Sequence, residues 1–381
     1  MRVTIIGAGP AGLYSAILIR RARPDTVVCI HEQNPPDATF GFGVVFSDQA
    51  LSFLRTDDPE TASLIEPHMM RWSDITVAHL GENIRIDGVG FSAIGRLELL
   101  YLLQQRAREF GVEPVYGQTI SDPAELGECD LLIGADGVNS VVRNTTMNDF
   151  GASINNLGNW FVWYGAECGF ETLTQTFVDT VHGPMTAHHY PYAPGRSTFI
   201  VEMTGETFAA AGLAQMTEQE YRIRCETWFT ATLGDAKLVP NNSIWRRFPD
   251  LSCARWHVGN RVLVGDALHT AHFSIGSGTR LALEDVVALV DALRSQEWKI
   301  GPALREYQEK RQPILRKFTT AAALSAAWYE GFGKYMALDP NRFALSYIRR
   351  AGRIDADRLR ALCPNFVGAL EGCGIAWKEI E

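Results

Sequence analysis

The groups in this chain best suited to chemistry stand where apolar runs meet glycine turns. The first turn is Gly7-Ala8-Gly9-Pro10-Ala11-Gly12, and the second is Asp136-Gly137. The third is Gly265-Asp266, followed after a short loop by Gly276-Ser277-Gly278-Thr279. A glycine turn that opens a helix offers free N–H groups and the positive end of the helix dipole, a surface that takes phosphate. Between the second and third turns stand His182, His188, His189, Tyr190 and Tyr192. Imidazoles and phenols there are either satisfied structural groups or hydrogen-bonding groups of a pocket. No carboxylate or cysteine stands at ligand spacing from these histidines, so no metal is expected.

The elements that must position the first turn are legible around it. Residues 2–6 read as a short buried strand, and Leu13, Ala16, Ile17 and Ile19 mark the apolar face of a helix opening at the turn. A second strand is expected over residues 26–30, and Glu32 stands just beyond it, twenty residues past Gly12. Strand, glycine turn, helix, strand and acid in this order form a dinucleotide fingerprint. Gly7 permits the tight turn, Gly9 admits a pyrophosphate to the backbone, and Gly12 lets helix and strand pack closely. Glu32 is placed to accept from ribose hydroxyls. An adenine dinucleotide is therefore expected, and the fingerprint alone leaves open which one.

At 381 residues the chain has room for about two domains. Apolar content of 46% and charged content of 21% are those of an ordinary soluble globular protein. A net charge of −9 argues against nonspecific nucleic-acid binding, while leaving room for a local basic pocket. No apolar run approaches a membrane span, and the N-terminus enters a strand without a signal pattern, so a cytoplasmic protein is expected. Seven scattered cysteines with no CxxC pair read as reduced thiols.

Along the chain, Gly41 and Gly43 between aromatics suggest either a close approach to a flat ligand or a turn entering a buried strand. A helix is expected over residues 47–54 with Ser47 as its N-cap. Alternation at Ile75, Val77 and His79, a turn at residues 81–83, and Ile84 and Ile86 beyond it predict a hairpin. A helix begins near Arg96, a cation unfavourably placed for the dipole unless a buried anion faces it; the alternative is a solvated arginine. Residues 111–116 read as a strand. Asp136-Gly137 follows a buried strand, which makes it a candidate ligand edge as well as a turn. Residues 151–250 are aromatic and β-branched, with a helical stretch over 218–233, and read as a second, sheet-based domain. A buried strand then leads into Gly265-Asp266, and a helix is expected over 280–294 with Thr279 as N-cap. The basic cluster Arg349, Arg350 and Arg353 reads as a solvated face or a phosphate site.

Gly7, Gly9, Gly12 and Glu32, then Asp136-Gly137, then Gly265-Asp266 before a glycine turn, together resemble the single-component FAD-dependent aromatic hydroxylases over residues 1 to about 320. The resemblance implies an α/β fold: a Rossmann-like FAD-binding domain with a β-sheet substrate domain inserted and helices at the C-terminus. The implied boundaries are 1–71, 96–150 and 255–300 for the FAD-binding parts, 72–95 for a substrate-domain hairpin, 151–254 for the substrate domain, and 301–381 for the helical region. Gly265 and Asp266 imply FAD as the resident dinucleotide, with Asp266 on the ribityl chain, Glu32 and Gln33 at the adenosine, and Arg96 on the FAD backbone. Further cofactor contacts are implied at Pro10, Ala11, Gly43, Val44 and Asp136, and along the ring at Ile275, Gly276, Gly278 and Thr279.

One departure narrows the resemblance. The common pattern has a proline four residues after His269, where this chain has Phe273. That variant resembles the salicylyl-CoA 5-hydroxylase branch, as do Arg71, Trp72, Ser73, Asp74 and Ile75, the run Trp245, Arg246, Arg247, Phe248 and Pro249, and Gly41 through Asp48. A violacein-pathway hydroxylase is a more distant likeness. The resemblance implies NADH or NADPH as transient reductant, O2 as co-substrate, a flavin hydroperoxide as oxidant, and an electron-rich aromatic ring as substrate. That substrate is expected to be salicylyl-CoA, giving gentisyl-CoA, or a related aryl-CoA thioester. His188, Tyr190 and His272 are the candidates for polarising the substrate hydroxyl. No membrane or nucleic-acid partner is expected, and the protein is expected to be a monomer or homodimer. Competing expectations are a hydroxylase of an indole-derived intermediate without CoA, and a non-enzymatic FAD-binding redox sensor.

Overall fold

The computed structural model describes residues 1–47 and 51–376. The N-terminal part runs β1 (Arg2–Ile6), α1 (Pro10–Ala22), β2 (Val27–His31), β3 (Gly43–Ser47), α2 (Ser52–Asp57) and α3 (Pro59–Ile65). It continues through β4 (Met70–Trp72), β5 (Ile75–His79), β6 (Glu82–Ile86), β7 (Phe91–Gly95), α4 (Arg96–Glu109), β8 (Leu131–Gly134), α5 (Val141–Asn144) and α6 (Met147–Phe150). The middle holds β9 (Ala152–Ala166), β10 (Leu173–Thr180), β11 (Gly183–Ala193), β12 (Arg196–Met203), α7 (Gly205–Ala210), α8 (Glu218–Trp228), α9 (Thr230–Leu233), β13 (Leu238–Val239) and β14 (Arg246–Cys253). The remainder is β15 (His257–Val258), β16 (Arg261–Leu263), α10 (Gly278–Ser295), α11 (Ile300–Glu330), α12 (Pro340–Arg349), α13 (Ala356–Leu362) and α14 (Pro364–Gly372).

A five-stranded sheet in the order β15-β16-β8-β1-β2 carries the glycine turns. Its β1, β2, β8 and β16 are parallel neighbours, and β8 is buried along its whole length, which is why it reads as a continuous apolar run. Helices α1 and α10 pack together over it, and α10 packs in turn on α11. Gly12 is what lets α1 lie so close: a Cβ there would sit 1.9 Å from the Gly7 carbonyl oxygen. Gly7 itself has φ +99°, a conformation that side-chain-bearing residues rarely adopt.

An eight-stranded sheet in the order β13-β9-β12-β11-β10-β5-β6, with β14 also on β9, forms the second layer. It is antiparallel except where β10 pairs with β5 in parallel, so the hairpin of residues 75–86 joins strands that follow it by about a hundred residues. Side-chain alternation splits this sheet. Met185, Ala187, Phe199 and Val201 face α7, α8 and α9, whereas Tyr190 and Phe177 face the helices α11 to α14. A three-stranded sheet, β3-β7-β4, packs against β11.

Several local expectations are corrected. Ser47 ends β3 instead of capping a helix; residues 48–50 lie outside the described residues, and α2 starts at Ser52. Residues 111–116 make only an isolated bridge from His31 to Val115, because Pro114 has no N–H to extend a ladder. The hairpin turn is Leu80-Gly81, both with positive φ, while Glu82 already belongs to β6. Helix α10 starts at Gly278 with Ser277 at the capping position, so Thr279 lies inside its first turn. Arg350 is no solvated residue: its guanidinium lies 3.8 Å from the Tyr347 ring centroid and donates to the Ser274 carbonyl at 2.9 Å. Among the described residues no helix is long and apolar enough to cross a membrane, and no cluster of three or more metal-ligating side chains occurs.

Candidate active site

A cavity of about 620 Å3 runs between the carboxyl ends of the parallel strands and the large sheet. Its first wall is built from turns: Gly9, Pro10 and Ala11 at the start of α1, Ala135 and Gly137 after β8, Val264 and Asp266 after β16, and Gly276 to Thr279 entering α10. The opposite wall is built from sheet positions and is aromatic: Phe161 and Trp163 on β9, His188 and Tyr190 on β11, and Phe248 on β14. Phe273 closes it from the loop before α10. Val44 and Arg96 lie between the two walls.

The first wall fits a dinucleotide. Neither α1 nor α10 has a side-chain hydrogen bond capping its N-terminus, so both present uncapped first-turn N–H groups at the cavity. A Cβ at Gly9 or Gly278 would meet nothing within 4 Å, which leaves the backbone there open to a close ligand. Arg96 and Asp266 face each other across the space. Burial pushes the Arg96 guanidinium down, with Asp266 opposing, and burial pushes the Asp266 carboxyl up against His269 and Arg96. Both groups line the cavity with no ion pair between them, and Asp266 is exposed at the cavity wall, so both are free to meet a polar ligand.

Other expected contacts lie behind the wall. Glu32 accepts from the Ala8 N–H at 2.8 Å and from the Asn34 backbone and side-chain N–H groups at 2.9 and 2.8 Å, which fixes it at the tip of β2 beside the first turn. Asp136 turns one oxygen to the Val141 N–H at 2.7 Å, and its other oxygen is buried without a partner. Gly7, Gly12, Gly265, Gln33 and Ile275 do not line the cavity. The first two shape the turn, and the Gly265 N–H is donated to Asp285 at 3.1 Å.

The aromatic wall separates the proposed proton-handling groups. Alternation along β11 puts His188 and Tyr190 on the cavity face and His189 on the other, where it stacks on Phe199 and meets Thr176 Oγ1 at 2.9 Å. His188 is buried at 4% exposure, and neither ring nitrogen has a hydrogen-bond partner. Burial, assisted by Arg350, pushes its imidazole down to about 3, so it is neutral at pH 7. The Tyr190 hydroxyl is committed as a donor to the Gly43 carbonyl at 2.9 Å, and burial pushes it up. His272 does not reach the cavity: its Nδ1 bonds Ser274 Oγ at 2.8 Å and its Nε2 lies 3.8 Å from Glu202. Sequence reasoning did not single out Trp163, whose buried Nε1 also lacks a partner, nor the arginines 246 and 247 on the cavity rim. Two adjacent cations in a strand are the sequence signal for the rim pair.

Comparison with known proteins agrees with this geometry. A family model described as an FAD binding domain matches residues 102–322. The chain is 41% identical to a salicyloyl-CoA 5-hydroxylase of a Streptomyces species over 92% of this chain and 70% of that one. It is 38% identical to a 3-hydroxy-4-methyl-anthranilyl-[aryl-carrier protein] 5-monooxygenase of Streptosporangium sibiricum, over 86% and 89%. It is 32% identical to the protodeoxyviolaceinate monooxygenase of Chromobacterium violaceum, over 92% and 94%. Among solved structures, 2-methyl-3-hydroxypyridine-5-carboxylic acid oxygenase superposes with a TM-score of 0.70 at 18% identity, covering 92% of this chain and 95% of the other, which supports the fold. With a dinucleotide wall and an aromatic wall facing one cavity, the chain belongs to the FAD-dependent aromatic monooxygenases.

Proposed function

We propose that this enzyme hydroxylates an electron-rich aromatic ring presented as a thioester, with salicylyl-CoA and its conversion to gentisyl-CoA the leading case. Two of the similar relatives are named for aryl thioesters of this kind. The observation that carries the assignment of the aromatic end is His188, a buried imidazole on the cavity wall with both nitrogens unpartnered. A buried polar group without a partner is costly, and a phenolic or amino substituent would supply the missing bond.

Bound FAD, reduced by NADH or NADPH, supplies the activation of O2 from which one atom enters the ring. A single dinucleotide fingerprint supports a nicotinamide that visits without a site of its own. The protein's contribution is placement and charge. The uncapped start of α10 offers N–H groups and a positive dipole end to negative charge at the cofactor's edge. Phe161, Phe248 and Phe273 hold the ring and exclude water. Neutral His188 accepts a hydrogen bond from the substrate hydroxyl through one nitrogen, which raises electron density on the ring. Tyr190 keeps the start of β3 in place through its bond to the Gly43 carbonyl.

The test is NAD(P)H consumption and product analysis with salicylyl-CoA, free salicylate and an indole carboxylate. Faster consumption with matching hydroxylated thioester supports the reading. Stimulation by the indole compound, or by free salicylate alone, sinks it.

A further inference from the structure

Resting on the thioester reading, we infer that Arg246 and Arg247 bind the phosphate of a 4′-phosphopantetheine arm as the aryl group enters the cavity. The two similar relatives that act on thioesters are named for different carriers, coenzyme A in one and an aryl-carrier protein in the other. What these carriers share next to the thioester is a phosphopantetheine arm, ending in a phosphate at the far end from the ring. A site common to both would recognise that phosphate.

The rim at the aromatic end of the cavity offers a place for it. Arg246 pairs with Phe161 across the β14–β9 ladder, so the arginines flank the aromatic end of the cavity and not the glycine turns. In a regular strand consecutive side chains point to opposite faces. Here the register shifts between Arg247 and Pro249, and both arginines line the same cavity. Such an irregularity bends a strand and re-aims its side chains. Both are exposed, and among the described residues neither has a carboxylate within ion-pair distance. Backbone carbonyls hold them instead: Arg247 donates to Leu157 at 2.6 Å and Asn156 at 3.0 Å, and Arg246 to Asn242 at 3.1 Å. The remaining terminal nitrogen of each guanidinium has no protein partner among the described residues. In a chain of net charge −9, two adjacent and oriented cations without acids are a forked receptor for a phosphate.

The experiment titrates the FAD-loaded enzyme with four salicyloyl thioesters, those of pantetheine, 4′-phosphopantetheine, coenzyme A and a carrier protein, and reads Kd from the perturbed flavin spectrum. The phosphopantetheine compound should bind about 10- to 100-fold more tightly than the pantetheine compound. In an R246A/R247A double variant that ratio should fall to about one while the affinity for the pantetheine compound stays unchanged. If the double variant loses FAD, the R246K/R247K variant, which keeps charge without the planar fork, should give an intermediate ratio. A wild-type ratio of one overturns the inference, as does equal loss for both small thioesters. Loss confined to the coenzyme A compound would move the arginines to its adenosine phosphates and equally overturn it. If no thioester perturbs the flavin, the thioester reading falls and takes this inference with it. Where the phosphopantetheine ratio is arginine-dependent, parallel loss for the coenzyme A compound, the carrier-protein compound or both supports the site and assigns the source of the arm.

Discussion

His269 Nε2 lies 2.7 Å from Asp285 Oδ2 in the core, and the same oxygen accepts the backbone N–H of Gly265 at 3.1 Å. The other carboxylate oxygen takes Arg311 Nε at 2.9 Å. One buried acid on α10 thus holds the loop that presents Asp266 to the cavity. Burial alone would push this carboxyl up, but His269 and Arg311 outweigh it and hold the group below the usual carboxylate range. Replacing Asp285 with Asn removes one of the two acids that meet Arg311, the other being Glu284 at 2.9 Å, and takes the charge from the partner of His269. A loss of about 2–3 kcal/mol, less than for a fully unpaired buried charge, is expected, together with poor FAD retention. Denaturant melts and the flavin-to-protein ratio after gel filtration check it. Because the folded value is depressed, the stabilisation is present above the unfolded carboxylate value near 4 and is lost as pH falls through the folded one.

His188→Phe should separate folding from chemistry. The substitution removes two unsatisfied buried nitrogens, so thermal stability should hold or rise while FAD content stays full. Hydroxylated product per NAD(P)H consumed should fall about 100-fold, within the range of a lost proton-handling group. Unchanged coupling would remove His188 from the reaction.

Acid should unfold the protein early. His188, His189 and His272 are each pushed down to about 3, burial being the main cause. Their unfolded values lie near 6.5, so they stabilise the fold fully above that pH and progressively less as pH falls toward 3. By pH 5 the expected loss is about 2 kcal/mol for each histidine. Urea melts between pH 7 and 5 should show it, and a flat profile over that range would contradict the buried, neutral assignment.

Glu202 should act in the opposite direction. Burial pushes its carboxyl up to about 8, partly offset by the Asn159 side-chain N–H donated at 2.8 Å. A raised carboxyl stabilises fully below its unfolded value near 4.3, and that contribution is lost as pH rises through the folded value. Glu202→Gln keeps the shape and the acceptor without the ionisation. It should be more stable than the wild type at pH 8, by a few kcal/mol at most, with the difference shrinking to about 1 kcal/mol at pH 5 and vanishing below about pH 4.

The glycines of the first turn should fail in different ways. Gly12→Ala places a methyl 1.9 Å from the Gly7 carbonyl and should destabilise even the FAD-free protein. Gly9→Ala meets no protein atom within 4 Å, so the FAD-free protein should melt normally while FAD affinity falls. Melting curves of both apoproteins and FAD titrations would distinguish them.

How far the sequence could be read follows from the range of each interaction. The first turn, its strands and helix, and the hairpin near residue 80 are local, so glycine spacing and periodicity reveal them. Period-two alternation shows that His188 and His189 point to opposite faces, but which face borders the cavity depends on β3 and β7 packing on β11. The meeting of Arg96 with Asp266 spans 170 residues of chain and leaves no local signature. Residues 111–116 misled because their composition is strand-like while Pro114 withholds the donor a ladder needs. In the sequence His272 is as good a candidate base as His188, yet the turn before α10 aims it at Ser274 and Glu202.

The parallel pairing of β5 with β10, and of β16 with β8, also sets a timetable. On a chain emerging from the ribosome, the hairpin of residues 75–86 waits for β10 before its edge is covered. The dinucleotide wall waits longer, until β16 and the start of α10 arrive. Non-local pairing of this kind slows folding and leaves unpaired edges exposed meanwhile. FAD, whose binding surface is drawn from both ends of this delay, therefore joins a nearly finished chain and fastens its early and late segments together. Expression with scarce flavin should yield aggregates more readily than it yields soluble apoprotein.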